Sequence, residues 1–126
     1  MTIREAAAGL RAHRFSAVEL ATGAISRIDR HNAELRAFIT VTAEQALNQA
    51  RQADHELAHG KDRGPLHGIP VALKDLFATR GVRTTAGSKV YENYVPEINA
   101  TVVEKLLAAG AVLLGKLNMQ IGRAHV

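Results

Sequence analysis

The chain has 126 residues, of which 47% are hydrophobic, and this is sufficient for one domain with a buried core. It contains no cysteine, which excludes a disulfide framework and a thiolate metal site and fits a reducing compartment. The formal charge is +4, but the basic residues are scattered and interleaved with acids, and aromatic residues are few, so a nucleic-acid-binding stripe is not expected.

The first sixty residues carry the patterns of three helices. Capping boxes, in which Ser or Thr and a Glu three residues later satisfy the first amides, occur at Thr2–Glu5 and Ser16–Glu19. The stretch from Leu35 to Val41 predicts a short strand, Thr42 opens the third helix, and Gly60 ends it. Apolar side chains at helical spacing are predicted to face the core: Ile3, Ala6, Ala7 and Leu10; Ala17, Leu20, Ala21, Ala24, Ile25 and Ile28; and Ala43, Ala46, Leu47, Ala50 and Leu57.

The second half of the chain is punctuated by glycine and predicts two buried strands. Ile69 to Leu73 lacks polar side chains, and Pro70 disfavours a helix there. A fourth helix opens at Thr101 and stops at Gly110, before a second strand from Ala111 to Leu114. Such a strand–helix–strand order indicates a crossover between parallel strands. Glycines in the loops are expected at turns with unusual backbone angles: Gly64, Gly68, Gly81 and Gly87.

Lys74 follows the apolar strand directly, so the strand would carry its amine from the dry interior to the edge of the sheet. Burial disfavours the charged form, so we expect the pKa of Lys74 to fall and its neutral amine to be available as a base. From composition alone, a lysine that keeps its ammonium in water is the commoner arrangement. Asp75 could orient Lys74 or bond the backbone of the next turn, and the backbone role is expected because neighbours in a strand point to opposite faces. Lys116, at the end of a strand, could face a site, but a surface position is expected.

His55-Glu56-Leu57-Ala58-His59 matches the H-E-x-x-H pattern, in which two histidines on one helix face bind zinc and the glutamate acts as base. Helical spacing places both histidines opposite the predicted inward face, on a last turn that ends at Gly60. No third ligand follows at the usual spacing. We therefore expect no metal at this helix end.

Four blocks together resemble the amidase signature family. They stand in the family's order and at its usual separations between Gly64 and Gln120: Gly64–Asp75, Gly81–Ser88, Asn99–Glu104 and Ala109–Met119. The resemblance implies an α/β/α fold with a mixed sheet flanked by helices, of which this chain would be the N-terminal part. It implies no cofactor and no metal.

In that family a serine, a second serine in a cis peptide and a lysine hydrolyse or transfer amides, and Lys74 matches the lysine. The lysine acts as general base through the bridging serine, and the nucleophilic serine forms an acyl-enzyme. The resemblance places both catalytic serines beyond the last residue of this chain. Three serines are present, and none matches the nucleophile: Ser16, Ser26 and Ser88.

Residues 1–120 are therefore interpreted as a fragment of a single amidase signature domain. Residues 121–126 depart from the family's sequence and read as the translation of a sequencing adapter, so we expect them to be a non-native tail. The first residues are too polar for a signal peptide, and the longest uncharged run, Leu106 to Gly115, is too short to span a membrane. A cytoplasmic location is expected.

Three functions are considered for the parent protein, and the sequence analysis favours the first and keeps the other two as alternatives. The first is an amidohydrolase acting on a small-molecule amide, alone or as a homo-oligomer, with no membrane or nucleic-acid partner. The second is the A subunit of a glutamyl- or aspartyl-tRNA amidotransferase, which uses glutamine as ammonia donor beside a partner subunit. The third is a small binding domain without catalysis.

Overall fold

The computed structural model describes residues 1–35, 37–75, 77, 79–85, 94–97 and 99–117. Within these ranges the chain forms four helices and three strands. In chain order they are α1 (Ile3–Arg11), α2 (Ala17–Leu35), β1 (Phe38–Val41), α3 (Ala43–Ala58), β2 (Pro70–Lys74), α4 (Thr101–Ala108) and β3 (Val112–Leu117). None of these helices is both long enough and apolar enough to cross a membrane.

The first two helices begin at the capping boxes that the sequence predicts. Thr2 Oγ1 accepts a hydrogen bond from the amide of Glu5 at 3.1 Å. At α2 the exchange is reciprocal: the Glu19 amide donates to Ser16 Oγ at 3.0 Å, and the Ser16 amide donates to a Glu19 carboxylate oxygen at 3.2 Å. These bonds satisfy amides that have no partner within the helix.

β3 is the central strand of a three-stranded mixed sheet with the order β1-β3-β2. β1 runs antiparallel to β3, and β2 runs parallel to it, so the predicted crossover from β2 through α4 to β3 is confirmed. The register between β2 and β3 shifts by one residue after the pair Val71–Leu113. The next residue of β2, Ala72, pairs with Gly115, so Leu114 of β3 is skipped. A bulge of this kind changes which side chains of a strand share a face.

Helices cover both faces of the sheet, as the α/β interpretation predicts. On one face Ile69, Val112 and Leu114 pack with buried alanines of α1, α2 and α3. On the other face Leu73 and Leu113 pack with Val103 of α4. Two cores on opposite sides of one sheet make the three-layer arrangement.

Four details differ from the sequence-based expectations. β3 continues through Leu117, whereas the predicted strand ends at Leu114. α2 continues through Leu35, so the strand starts only at Phe38, where Asn32 bonds both the amide and the carbonyl of Phe38 at 2.8 and 3.1 Å. Ile3 is 54% exposed instead of facing the core. On α3 the last buried position is Glu56, while Leu57 is only partly buried.

The loop glycines adopt the predicted backbone angles where the structure describes them. Gly64, Gly68 and Gly81 have positive φ values of 123°, 83° and 76°. Gly87 lies outside the described residues. Gly110, which ends the turn after α4, has φ +80°, and a Cβ added there would meet the ring of His67. This turn therefore combines a left-handed backbone with close packing, and glycine suits both.

Candidate functional site

Lys74 is the last residue of β2, paired with Leu117 at the carboxyl end of the parallel pair. Its side chain is exposed, so the dry setting expected for this amine is not provided by the described residues. In open α/β sheets the carboxyl ends of the strands are where ligands bind. The structure thus places Lys74 at the edge of the sheet where a site would be expected.

Asp75, the next residue, is buried with 1% of its surface exposed. Its Oδ2 accepts hydrogen bonds from the Thr85 amide, at 3.1 Å, and from the Thr85 hydroxyl. Its own amide donates to the Leu117 carbonyl at 3.1 Å. Asp75 therefore bonds the backbone, as expected. Its other oxygen, Oδ1, is buried and has no hydrogen-bond partner within the described part of the chain.

Lys116 is fully buried, and the prediction of a surface lysine is wrong. Its Nζ donates to the Phe77 carbonyl at 2.6 Å, to Thr79 Oγ1 at 3.1 Å and to Thr84 Oγ1 at 2.9 Å. Burial lowers the pKa of Lys116, and the nearby charge of Asp75 opposes that shift. No local pattern in the sequence indicates this burial, because all three acceptors lie more than thirty residues away along the chain.

The two lysines extend from opposite faces of the sheet. Lys116 is paired with Leu73, so these two side chains share the face that packs on α4. Lys74, one residue on, points to the other face. In a regular strand, side chains three residues apart, such as Leu113 and Lys116, point to opposite faces. The bulge in β3 opposite Ala72 adds one residue between them, so both lie on the same face. The structure therefore brings Lys116 beside the loop that follows Lys74.

The two histidines of the H-E-x-x-H pattern lie together, with ring centroids 4.3 Å apart, but the glutamate does not join them. His55 and His59 are exposed near the end of α3, whereas Glu56 is 6% exposed and points inward. Glu56 accepts hydrogen bonds from Arg63 at 2.7 Å and from His67 Nε2 at 2.9 Å. Its carboxylate is therefore already engaged on the side of the helix away from the histidines.

Helical spacing could have identified the burial of Glu56. It continues the series of buried alanines on α3 at intervals of three and four residues: Ala46, Ala50 and Ala53. Apolarity alone favoured Leu57 as the inward position. His67 was missed as a partner because its burial depends on the turn at Gly110.

Several residues considered in the sequence fall elsewhere. Ser16 precedes α2 as its capping residue, and Ser26 is exposed on that helix. Ser88, Met119 and the tail 121–126 lie outside the described residues. A cleft of ≈ 410 Å³ borders α3 and the turn at Gly110, with Glu56 in its wall and Lys74 not among its lining residues.

The chain matches the family model for amidases over residues 19–125. It is 53% identical over 118 residues to the A subunit of the glutamyl-tRNA(Gln) amidotransferase of Methylococcus capsulatus, and 46% identical over 119 residues to that of Carboxydothermus hydrogenoformans. Each alignment covers 94% of this chain and 24% of the relative.

Among solved structures, the native peptide amidase of Stenotrophomonas maltophilia matches with a TM-score of 0.86 and 36% identity, over 93% of this chain and 24% of that one. A protein described in connection with the origins of an s-triazine catabolic enzyme matches with a TM-score of 0.89 and 38% identity. That match covers 94% of this chain and 26% of the other chain. The chain thus spans about a quarter of the length of the proteins it matches.

Proposed function

The chain belongs to the amidase family, and from that premise we propose that the full-length protein cleaves carboxamide C–N bonds with Lys74 as the general base. The observation that carries the proposal is the position of Lys74. It ends β2 at the carboxyl edge of a parallel pair, exposed, and within the block that matches the family's lysine.

In the proposed mechanism the neutral Lys74 amine accepts a proton relayed by a serine in a cis peptide. The second serine then attacks the amide carbonyl, and backbone N–H groups stabilise the oxyanion. Lys74 then returns its proton through the bridging serine to the leaving nitrogen, so that collapse of the tetrahedral intermediate breaks the C–N bond, releases an amine or ammonia and leaves the acyl-enzyme. Water, activated in the same way, hydrolyses the acyl-enzyme to the carboxylate. The proposal assigns both serines to sequence outside this chain.

The lysine can be neutral near pH 7 only if it is desolvated. Because the described residues leave Lys74 exposed, the proposal requires that further residues of the full-length protein cover it. The described fragment supplies the base and the strand that orients it. The remaining residues would supply the nucleophile and the dry surroundings.

Of the two amide chemistries, we favour transamidation from glutamine. The curated relatives named as the A subunit of the glutamyl-tRNA(Gln) amidotransferase reach about 50% identity across this chain, whereas the two solved structures described above reach 36–38%. The proposal then includes a cytoplasmic location and a partner subunit that receives the ammonia. Hydrolysis of a free amide by a protein acting alone is the alternative.

Replacement of Lys74 tests the chemistry in the full-length protein. Lys74→Ala should lower kcat by several orders of magnitude without loss of folding, because the nucleophile is not activated. Lys105→Ala, which removes an exposed lysine from α4, is the matched control and should retain activity. Near-normal turnover in a folded Lys74→Ala protein would refute the assignment.

Substrate preference tests the favoured reaction. Ammonia release from glutamine should increase when the partner subunits and charged tRNA are added, and simple amides should be poorer substrates. Rapid hydrolysis of a simple amide, with no response to any partner, would favour the amidohydrolase. No turnover of either class by the pure full-length protein and its partners would favour a binding domain.

A further inference from the structure

The strongest feature not used by the proposed mechanism is the buried ammonium of Lys116 and the loop around it. We propose that Lys116 is a positioning residue, which fixes the segment from Asp75 to Thr85 and thereby holds Lys74 in place. The proposal rests on the function proposed for Lys74. It assigns to Lys116 no contact with substrate.

Hydrogen bonding requires Lys116 to be charged. The Thr79 hydroxyl donates to the Phe77 carbonyl at 3.0 Å, and the Thr84 hydroxyl donates to the Val82 carbonyl at 3.0 Å. Each hydroxyl has one proton, so toward Lys116 both can only accept. The third partner is a carbonyl oxygen, which also only accepts.

Three acceptors need three N–H donors, and only the ammonium form of lysine has three. A neutral amine would place its lone pair against an acceptor oxygen. The Asp75 carboxylate is the neighbouring charge that favours the ammonium, against the cost of burial. Lys116 is therefore a cation in this arrangement of hydrogen bonds.

The loop after Lys74 is tied to the end of β3 at several points. Lys116 holds three acceptors in the loop, and the Leu117 carbonyl accepts the Asp75 amide. Asp75 in turn accepts from Thr85 and closes the loop on itself. Since Lys74 immediately precedes Asp75, its main chain is held between β3 on one side and this anchored loop on the other.

Loss of the ammonium should release the loop. Lys116→Met keeps an unbranched side chain of similar length but removes all three N–H donors. The Thr79 and Thr84 hydroxyl oxygens then lose the hydrogen bond they accept from Lys116, and within the described part of the chain the Phe77 carbonyl keeps only the bond from the Thr79 hydroxyl. Amides within the loop, such as those of Val82 and Thr85, should exchange faster with solvent because their hydrogen bonds depend on this geometry.

The decisive experiment measures turnover, KM and amide hydrogen exchange in the full-length protein. For Lys116→Met we expect kcat to fall about tenfold or more, with KM within about twofold, because misplacing the base affects the chemical step more than substrate binding. Thr84→Val removes one of the three acceptors of Lys116, together with the hydrogen bond from Thr84 to the Val82 carbonyl, at nearly constant volume. It should lower kcat by about threefold. Lys105→Met on α4 should leave kcat and loop exchange unchanged.

A folded Lys116→Met protein with kcat within about twofold of wild type would overturn the proposal, even if its melting temperature fell, since a purely structural lysine would behave in that way. If the Lys116→Met protein does not fold, Thr84→Val and Thr79→Val test the positioning role instead. An unchanged kcat in both of these variants would overturn the proposal. Full activity of Lys74→Ala would instead refute the proposed function. Loss of activity in Lys74→Ala together with normal kcat in Lys116→Met would refute only the positioning role.

Discussion

Both carboxylate oxygens of Glu56 are engaged inside the protein. Oε2 accepts from Arg63 and lies 3.3 Å from the Lys61 ammonium, while Oε1 accepts from His67. The Arg63 amide donates to His67 Nδ1 at 3.1 Å, so in the neutral ring Nε2 carries the proton given to Glu56. The hydrogen bond from Arg63 is the main reason that the pKa of Glu56 is lowered to about 2, and burial opposes the shift.

This shift predicts a contribution to acid stability. A carboxyl group whose pKa is lower in the folded state stabilises the fold above its usual pKa of 4.5, and that contribution is lost as the pH falls toward about 2. Glu56→Gln in the full-length protein should cost about 2 kcal/mol at pH 7 and flatten the pH dependence of unfolding across that window. Denaturant titrations at a series of pH values would measure both effects.

The exposed Glu5 in the first turn of α1 provides the comparison. Glu5→Gln should change the free energy of unfolding by no more than about 0.5 kcal/mol. An equally steep acid transition in the Glu56→Gln protein would contradict the role given to this carboxylate.

The hydrogen bonds that Glu56 accepts from Arg63 and His67 lead to a prediction about zinc. Since Glu56 is held by Arg63 and His67, and His55 and His59 are exposed, the motif lacks both a free base and a third ligand among the described residues. Elemental analysis of protein purified without added metal should find no stoichiometric zinc, and the double change His55→Ala with His59→Ala should leave activity within about twofold. Tight one-to-one zinc that disappears in the double variant would show the opposite.

At the residue scale, hydrogen bonds between residues a few positions apart could be predicted from the sequence. Contacts between residues far apart in the chain could not. The Ser16–Glu19 box is confirmed because both members lie in one helical turn. Lys116 was misassigned because its burial is stabilised by acceptors from a loop that only the fold brings near. The place of Lys74 at a strand end was predicted, while its catalytic role stays a prediction.

At the element scale, the start of α2 depends on a neighbouring helix as well as on its own box. Asp54 of α3 accepts the amides of Ala17 and Val18 at 2.7 and 3.1 Å, which suits the positive end of the helix dipole. Element types and order were predicted well, since caps and apolar periodicity are local. The first residue of β1 was not predicted correctly. Asn32, in α2, makes hydrogen bonds with both the amide and the carbonyl of Phe38, and the strand begins only there.

The turn between α4 and β3 predicts a pair of contrasting glycine variants. Gly110→Ala in the full-length protein should destabilise by at least about 2 kcal/mol, because a Cβ there would meet the buried His67 ring in a left-handed backbone. Gly60 has a similar φ of +79° with no atom near its Cβ, so Gly60→Ala should cost only about 1 kcal/mol. Urea unfolding midpoints would compare the two, and equal losses would show that the His67 contact is unimportant.

At the scale of the whole molecule, the chain is about a quarter of the proteins it resembles. Its 126 residues alone should have no amidase activity and should fold incompletely. The outer edge of β2 has no strand partner among the described residues, and Val71 and Ala72 lie on it. Circular dichroism should show helix with a broad thermal transition and binding of a hydrophobic dye, whereas a sharp melt with amide turnover would indicate a complete enzyme.

The strand order has a consequence for how the protein is made. β3 is the last element of the described chain to leave the ribosome, yet it is the strand on which both β1 and β2 pair. Until Leu117 has emerged, neither earlier strand has its partner, and the core that α1, α2 and α3 share with Val112 and Leu114 is incomplete. A ribosome stalled shortly after α4 should therefore carry a nascent chain with helices but without this sheet, and β1 and β2 should stay exposed to chaperones until β3 pairs with them.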